Sequence, residues 1–185
     1  MSNFPRHPLG ITLIELVIVL SIIAILASLA LPAFSHVGQA LAARSARSAL
    51  TVAISQARIA AVMRGVPVVA CPSADQSSCS RNLRWDAGWL VFDDRNRNGQ
   101  MDPDETIITL AQPQPRGVAI LASSGRHRIR YQPDGTSDGS NLTLTFCDRR
   151  GAGSATTLVL NNSGRLRSGT PTAAQAAAAC AAVGT

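Results

Sequence analysis

Arg165 and Arg167 stand one residue apart in Gly164-Arg165-Leu166-Arg167, near the end of the chain. On an extended backbone such residues point to the same side. The two guanidinium groups would then lie about 7 Å apart, close to the spacing of successive phosphates along one nucleic-acid strand. Arginine suits that contact because its planar fork offers several donors to one phosphate. Phosphate contacts position a ligand without reading its bases, so the chemistry is sequence-tolerant and salt-sensitive binding. A second cluster, Arg126, His127, Arg128 and Arg130, would extend the patch. Arg149 and Arg150 would join if a disulfide at Cys147 drew the tail across. The plain alternative for all of them is solvated turns and strand ends.

A second chemistry is written in Asp94-Arg95-Asn96-Arg97-Asn98-Gly99 and Glu105. Asp94, Asn96, Asn98, Gly99 and Glu105 fit the calcium-loop pattern D-x-[DN]-x-[DN]-G-x5-E, with Asp102 at another usual ligand place. Against calcium stand the flanks, which read as strands, and the positive charges of Arg95 and Arg97. An Asn-Gly hairpin with solvated acids is the rival, so no metal or other cofactor is assigned. The histidines, His7, His36 and His127, are scattered. None has a nucleophile or acid partner, and no glycine-rich phosphate loop is present, so an enzyme is not expected. Trp85 and Trp89 suit base stacking, but strand-like context makes core positions the expectation.

The third chemical feature is Glu15, the one charge in the 21 residues from Ile11 to Leu31. That run is long enough to cross a bilayer as a helix, which takes about 20 residues. A carboxylate inside it costs roughly 2.5–3.5 kcal/mol at the centre and calls for a cationic partner. A cleaved secretory signal is shorter, with an apolar region of about 7–15 residues. An ordinary membrane anchor or an uncleaved signal is the simple alternative.

The elements that must position these groups follow from patterning. Residues 36–64 are alanine-rich, and Leu41, Leu50, Ile54, Ala57 and Ala61 mark one apolar helix face. Gln39, Arg44, Arg47, Thr51, Ser55 and Arg58 are its polar positions. Arg64-Gly65 is a helix stop, and Pro67 forbids continuation. Short strands follow at Val66–Cys71, Gly88–Phe92, Thr106–Leu110, Val118–Leu121, Arg128–Gln132, Leu142–Cys147 and Thr157–Asn161, separated by glycine turns. They predict a two-sheet antiparallel domain. The tail from Pro171 reads as a loose segment or short helical turn.

Length and charge set the frame. The chain has 185 residues, so about 150 remain beyond the apolar run, enough for one domain with a core. All 17 basic residues are arginine against 11 acids, a net +6 that suits an anionic partner. Four cysteines beyond a membrane segment fit disulfides in an oxidising compartment. Of three pairings, Cys71–Cys79 with Cys147–Cys180 is favoured, because the first closes a short loop.

The N-terminal segment resembles the class III signal of type IV pilins, with Gly10 before the apolar helix, Glu15 within it and Pro32 after it. The rest resembles the GspH/FimT group of minor pilins and pseudopilins. That likeness rests on residues 92–99, on Tyr131-Gln132-Pro133-Asp134-Gly135 leading to Phe146-Cys147, and on Gly164-Arg165-Leu166-Arg167. The resemblance implies a type IV pilin fold of class α+β: a long N-terminal helix, spanning the membrane in its first half, then an antiparallel two-sheet head. It implies removal of a 1–10 leader by prepilin peptidase between Gly10 and Ile11, methylation of Ile11, and pairing of Glu15 with a neighbouring subunit's N-terminal amine. Residues 11–31 would serve membrane and assembly, 32–65 would pack on the head, 66–170 would form the head, and 171–185 would be a tail tied by Cys180. It also implies an inner-membrane subunit with a periplasmic head, later drawn into a fibre near its tip. FimT-type minor pilins bind DNA during natural transformation through a Gly-Arg-x-Arg motif, here Gly164, Arg165 and Arg167. The alternatives are a GspH-type pseudopilin of a type II secretion system, or a structural minor pilin that primes assembly.

Overall fold

The computed structural model describes residues 12–184, without the side chains of residues 29–33. Gly10 and Ile11, the expected processing pair, lie outside the described residues. The chain divides into two compact units, Met1–Gly38 and Gln39–Thr185. One helix, α1 (Leu13–Arg64), supplies the described part of the first unit and opens the second.

In the first unit the apolar side chains of α1 from Leu13 to Leu26 are exposed. Glu15 lies in the first turn, its amide donating to Thr12 Oγ1 at 3.3 Å. Among the described residues no helix is long and apolar enough to cross a membrane. The reading of 11–31 as a span therefore rests on sequence.

In the second unit α1 ends as the sequence anticipates. Gly65 takes a positive φ of 67° and its amide bonds back to the Ala61 carbonyl. The buried face of α1 is Ala46, Leu50, Ala53, Ile54, Ala57 and Ala61. Leu41 does not belong to it and is 66% exposed. Nine residues separate it from Leu50, two and a half turns, which sets the two on opposite sides.

Among the described residues eight strands follow: β1 (Val68–Pro72), β2 (Trp89–Asp93), β3 (Ile107–Ala111), β4 (Val118–Ala122), β5 (Ile129–Tyr131), β6 (Leu142–Asp148), β7 (Thr156–Leu160) and β8 (Leu166–Gly169). They form two four-stranded sheets, β3-β2-β1-β5 and β4-β6-β7-β8, antiparallel throughout. The inner faces of both sheets and the apolar face of α1 share one core, which includes Trp85 and Trp89. The tryptophans are thus core residues, closed to base stacking.

Strands β1 and β2 are buried at every position because these two strands are covered on both faces. Val68 and Ala70 face the main core, while Val69 and Cys71 face a smaller cluster closed by Cys79 and Met101. A strand covered on both faces reads as a continuous apolar run, without alternation. Cys71 is bonded to Cys79, and Cys147 to Cys180.

Of the two expectations for the tail, a loose segment or a short helical turn, it is helical, and longer than one turn. Thr172 and Gln175 form a reciprocal capping box that opens α2 (Ala173–Ala181). Ala176 and Ala179 of that helix pack with Cys147 and Leu121 on the outer face of the second sheet. The signal Thr172-x-x-Gln175 stood in the sequence, hidden by low complexity.

Candidate functional site

The Gly164-Arg165-Leu166-Arg167 segment forms the return of the β7–β8 hairpin. Its turn is closed by the Gly164 amide donating to the Asn161 carbonyl at 2.9 Å, and by the Arg165 amide donating to Asn161 Oδ1 at 2.9 Å. Leu166 pairs with Leu160 and Arg167 with Val159, so β8 is the edge of the second sheet. Leu166 is half-buried beside the core, and Arg165 and Arg167 are both exposed. Within β8 the alternation that turns Leu166 inward turns Arg167 outward, and Arg165, just before the strand, is exposed as well. Among the described residues neither forms an ion pair with a carboxylate.

Gly164 is held by close packing. It is buried, at φ 76°, and a Cβ there would strike the Gly135 carbonyl and press within 3.0 Å of the Tyr131 ring. It lets the hairpin turn sit flush on a second turn, where the Gly135 amide donates to the Gln132 carbonyl. Arg58 clamps the two. Its Nε donates to the Gly135 carbonyl at 2.9 Å and its guanidinium to the Ser163 carbonyl at 3.3 Å. Both acceptors are neutral, so the clamp keeps its positive charge beside Arg165. The sequence marked Arg58 only as a polar helix position, and nothing local tied it to turns 77 and 105 residues away.

The second basic cluster is built differently. Gly125, Arg126, His127, Arg128 and Arg130 line one cavity of about 250 Å³ with Asp138 and Ser140. Arg126 is exposed, but Arg128 donates to the Gly99 carbonyl at 2.6 Å. Arg130 bonds the Arg97 carbonyl and pairs with Asp94 at 3.2 Å. Burial, with Arg128 and Arg81 nearby, holds His127 below the usual histidine range, so it adds no charge at neutral pH. Two of the three arginines expected to face an anion are engaged with the acidic loop.

That loop is internally bonded. The Asp94 carboxylate, fully buried, accepts the Gly99 amide at 3.1 Å. Asn96 and Asn98 both donate to Asp102, at 2.8 and 2.7 Å. Glu105 accepts the Arg95 and Asp102 amides. Burial pushes the Glu105 carboxyl up against those bonds, with Asp94 and Asp102 adding to the rise. Asp93, also buried, is paired with Arg64 and Arg95. Among the described residues no group of three or more His, Cys, Asp or Glu side chains is placed to hold a metal ion.

The family model for type II transport protein GspH matches residues 46–164, and that for the prokaryotic N-terminal methylation motif matches residues 6–31. The first match ends at Gly164, just short of the arginine pair. No curated protein matches the chain by sequence. Among solved structures, the type IV minor pilin FimU of Pseudomonas aeruginosa strain PAO1 has a similar fold in two crystal forms. One superposes with TM-score 0.51 at 15% identity, over 74% of this chain and 98% of FimU. The other gives 0.56 at 14% identity, over 79% and 97%.

Proposed function

The chain belongs to the GspH family of type II transport proteins, and from that premise we propose that it is a minor pilin of a type IV pilus whose head holds DNA during uptake. Membership makes it a structural, non-enzymatic subunit of the pilin and pseudopilin class. Its N-terminal methylation motif implies prepilin peptidase processing, anchoring in the inner membrane and assembly with other subunits. The finer reading is carried by one observation: Arg165, just before the edge strand β8, and Arg167, within it, are both exposed and without a carboxylate partner among the described residues. Two exposed cations one residue apart can bind a nucleic-acid backbone whatever its sequence. Arg58 adds a third positive charge beside them.

The second reading is a pseudopilin of a type II secretion system. It is favoured by the family match ending at Gly164, which leaves both arginines outside the shared pattern. Changing Arg165 and Arg167 together to Gln separates the two. On the DNA reading the full chain in neutral detergent loses most of its duplex retention at low salt, and cells lose transformation while keeping pili. Undiminished retention by the double variant refutes that reading, and a loss of protein secretion would support the pseudopilin.

A further inference from the structure

The polar positions of α1 form a continuous stripe. Arg44, Arg47, Thr51, Ser55 and Arg58 follow at intervals of three or four residues, so they share one flank of the helix. The far end of that flank, Thr51 to Ile59, lines a cavity of about 480 Å³ with Tyr131, Gly164, Arg165 and Leu166. The near end lines a separate cavity of about 270 Å³, where Arg44 and Arg47 meet Asp148, Arg150, Ser154 and Thr156. Thr156 begins β7, and Gly164 closes the hairpin that follows it. The stripe therefore runs alongside the β7–β8 hairpin from one cavity to the other.

The near cavity is built for an anion. Its lining holds three arginines against one carboxylate. That carboxylate, Asp148, is 2% exposed and held by Arg150 at 2.9 and 2.7 Å. Burial alone would raise the Asp148 carboxyl, but Arg150 more than offsets this and keeps it ionised. The pair is thus neutral as a unit. Arg44 and Arg47 form no ion pair among the described residues, which leaves two uncompensated charges in a cavity that Ser154 and Thr156 also line. Guanidinium groups with hydroxyl donors are the groups that take phosphate oxygens.

We propose that this pocket is a second phosphodiester-binding site, so that the groove between the polar flank of α1 and the β7–β8 hairpin carries a nucleic-acid backbone from Arg165 to Arg47 and Arg44. The proposal rests on the DNA reading above and extends its footprint. Arg44 and Arg58 are about 21 Å apart along the helix axis, enough for several successive phosphates. One contact at each end fixes the direction of the strand on the head, which a single arginine pair does not.

The test is the salt dependence of duplex-DNA binding by the full chain in neutral detergent, for wild type, Arg44→Gln with Arg47→Gln, and Arg165→Gln with Arg167→Gln. Glutamine is a good helix former, and unchanged thermal melting of the first variant verifies its fold. Two lost phosphate contacts lower the slope of log affinity against log salt by about 1.8. That decrease is expected for Arg44→Gln with Arg47→Gln, and Arg44→Lys with Arg47→Lys should restore the slope because the charge returns. A wild-type slope in the glutamine variant, while the Arg165 and Arg167 variant loses binding, overturns the pocket and leaves the DNA reading standing. Failure of the wild type to retain DNA overturns both.

Discussion

The Tyr131 hydroxyl donates to the Gly164 carbonyl at 3.3 Å, and the same residue, Gly164, leaves no room for a Cβ against the Gly135 carbonyl. The arginine-bearing hairpin is therefore seated on the head by a glycine and a phenol, with Arg58 fastening it from the helix. Gly164→Ala combines a left-handed backbone, costing roughly 1–2 kcal/mol, with overpacking of roughly 1–3 kcal/mol. We expect a loss of about 3 kcal/mol, seen as a fall in melting temperature of roughly 10 °C. An unchanged melt would mean that the hairpin does not sit on the Gly135 turn.

Tyr131 is the only tyrosine, so its ionisation is directly visible in ultraviolet absorbance. Burial pushes its hydroxyl up to about 12, with Arg58 pulling the other way. A raised folded value means that the stabilisation is complete below the unfolded value of about 10 and is lost as pH rises through the folded one. Phenolate should appear near pH 10 in denaturant and about two units later in the native protein. Coincident titrations would show the ring to be open to solvent and the seat of Gly164 to be loose.

These two residues also show where sequence was legible. The helix stop at Gly65, the strands with clear alternation and the calcium-like spacing of residues 94–105 are local signals, each carried within one element. The hairpin's seat is not local. Tyr131, Gly135 and Gly164 meet only because β5 ends one sheet and β7–β8 the other, with Arg58 reaching both from a third element. β8 gives no strand signal, because four residues at an edge, three of them exposed, carry no apolar pattern. The engagement of Arg128 and Arg130 with the acidic loop was invisible for the same reason: about 30 residues separate each from its partner.

Glu15 tests the N-terminal reading. It is the one charge in an exposed apolar stretch of α1, within the region matched by the methylation motif. Glu15→Leu removes a charge from the expected membrane span, where carboxylates are costly, so insertion should hold or improve. If the carboxylate exists to meet a neighbour's N-terminal amine, incorporation into fibres should fall sharply while membrane levels stay normal. Fractionation of cells and sheared fibres measures both, and normal incorporation of the variant would remove the pairing argument.

Arg130 decides what the acidic loop is. A buried carboxylate needs a compensating charge, and Asp94 already has one in the Arg130 guanidinium at 3.2 Å, while Gly99 and Arg128 close the loop around it. A calcium ion at this position would have to compete with that guanidinium for Asp94, and Arg95 beside Asp93 would repel it. Arg130→Gln leaves Asp94 buried with only its amide bond, a type of loss that costs about 3–5 kcal/mol. Because Arg130 retains partial exposure, we expect the lower end, about 3 kcal/mol, in a denaturant melt. Calcium at about 1 mM, the range of weak extracellular sites, should leave the wild-type melt unmoved. A calcium-dependent rise in wild-type stability would show instead that the guanidinium yields its place and that the D-x-[DN]-x-[DN]-G spacing holds an ion.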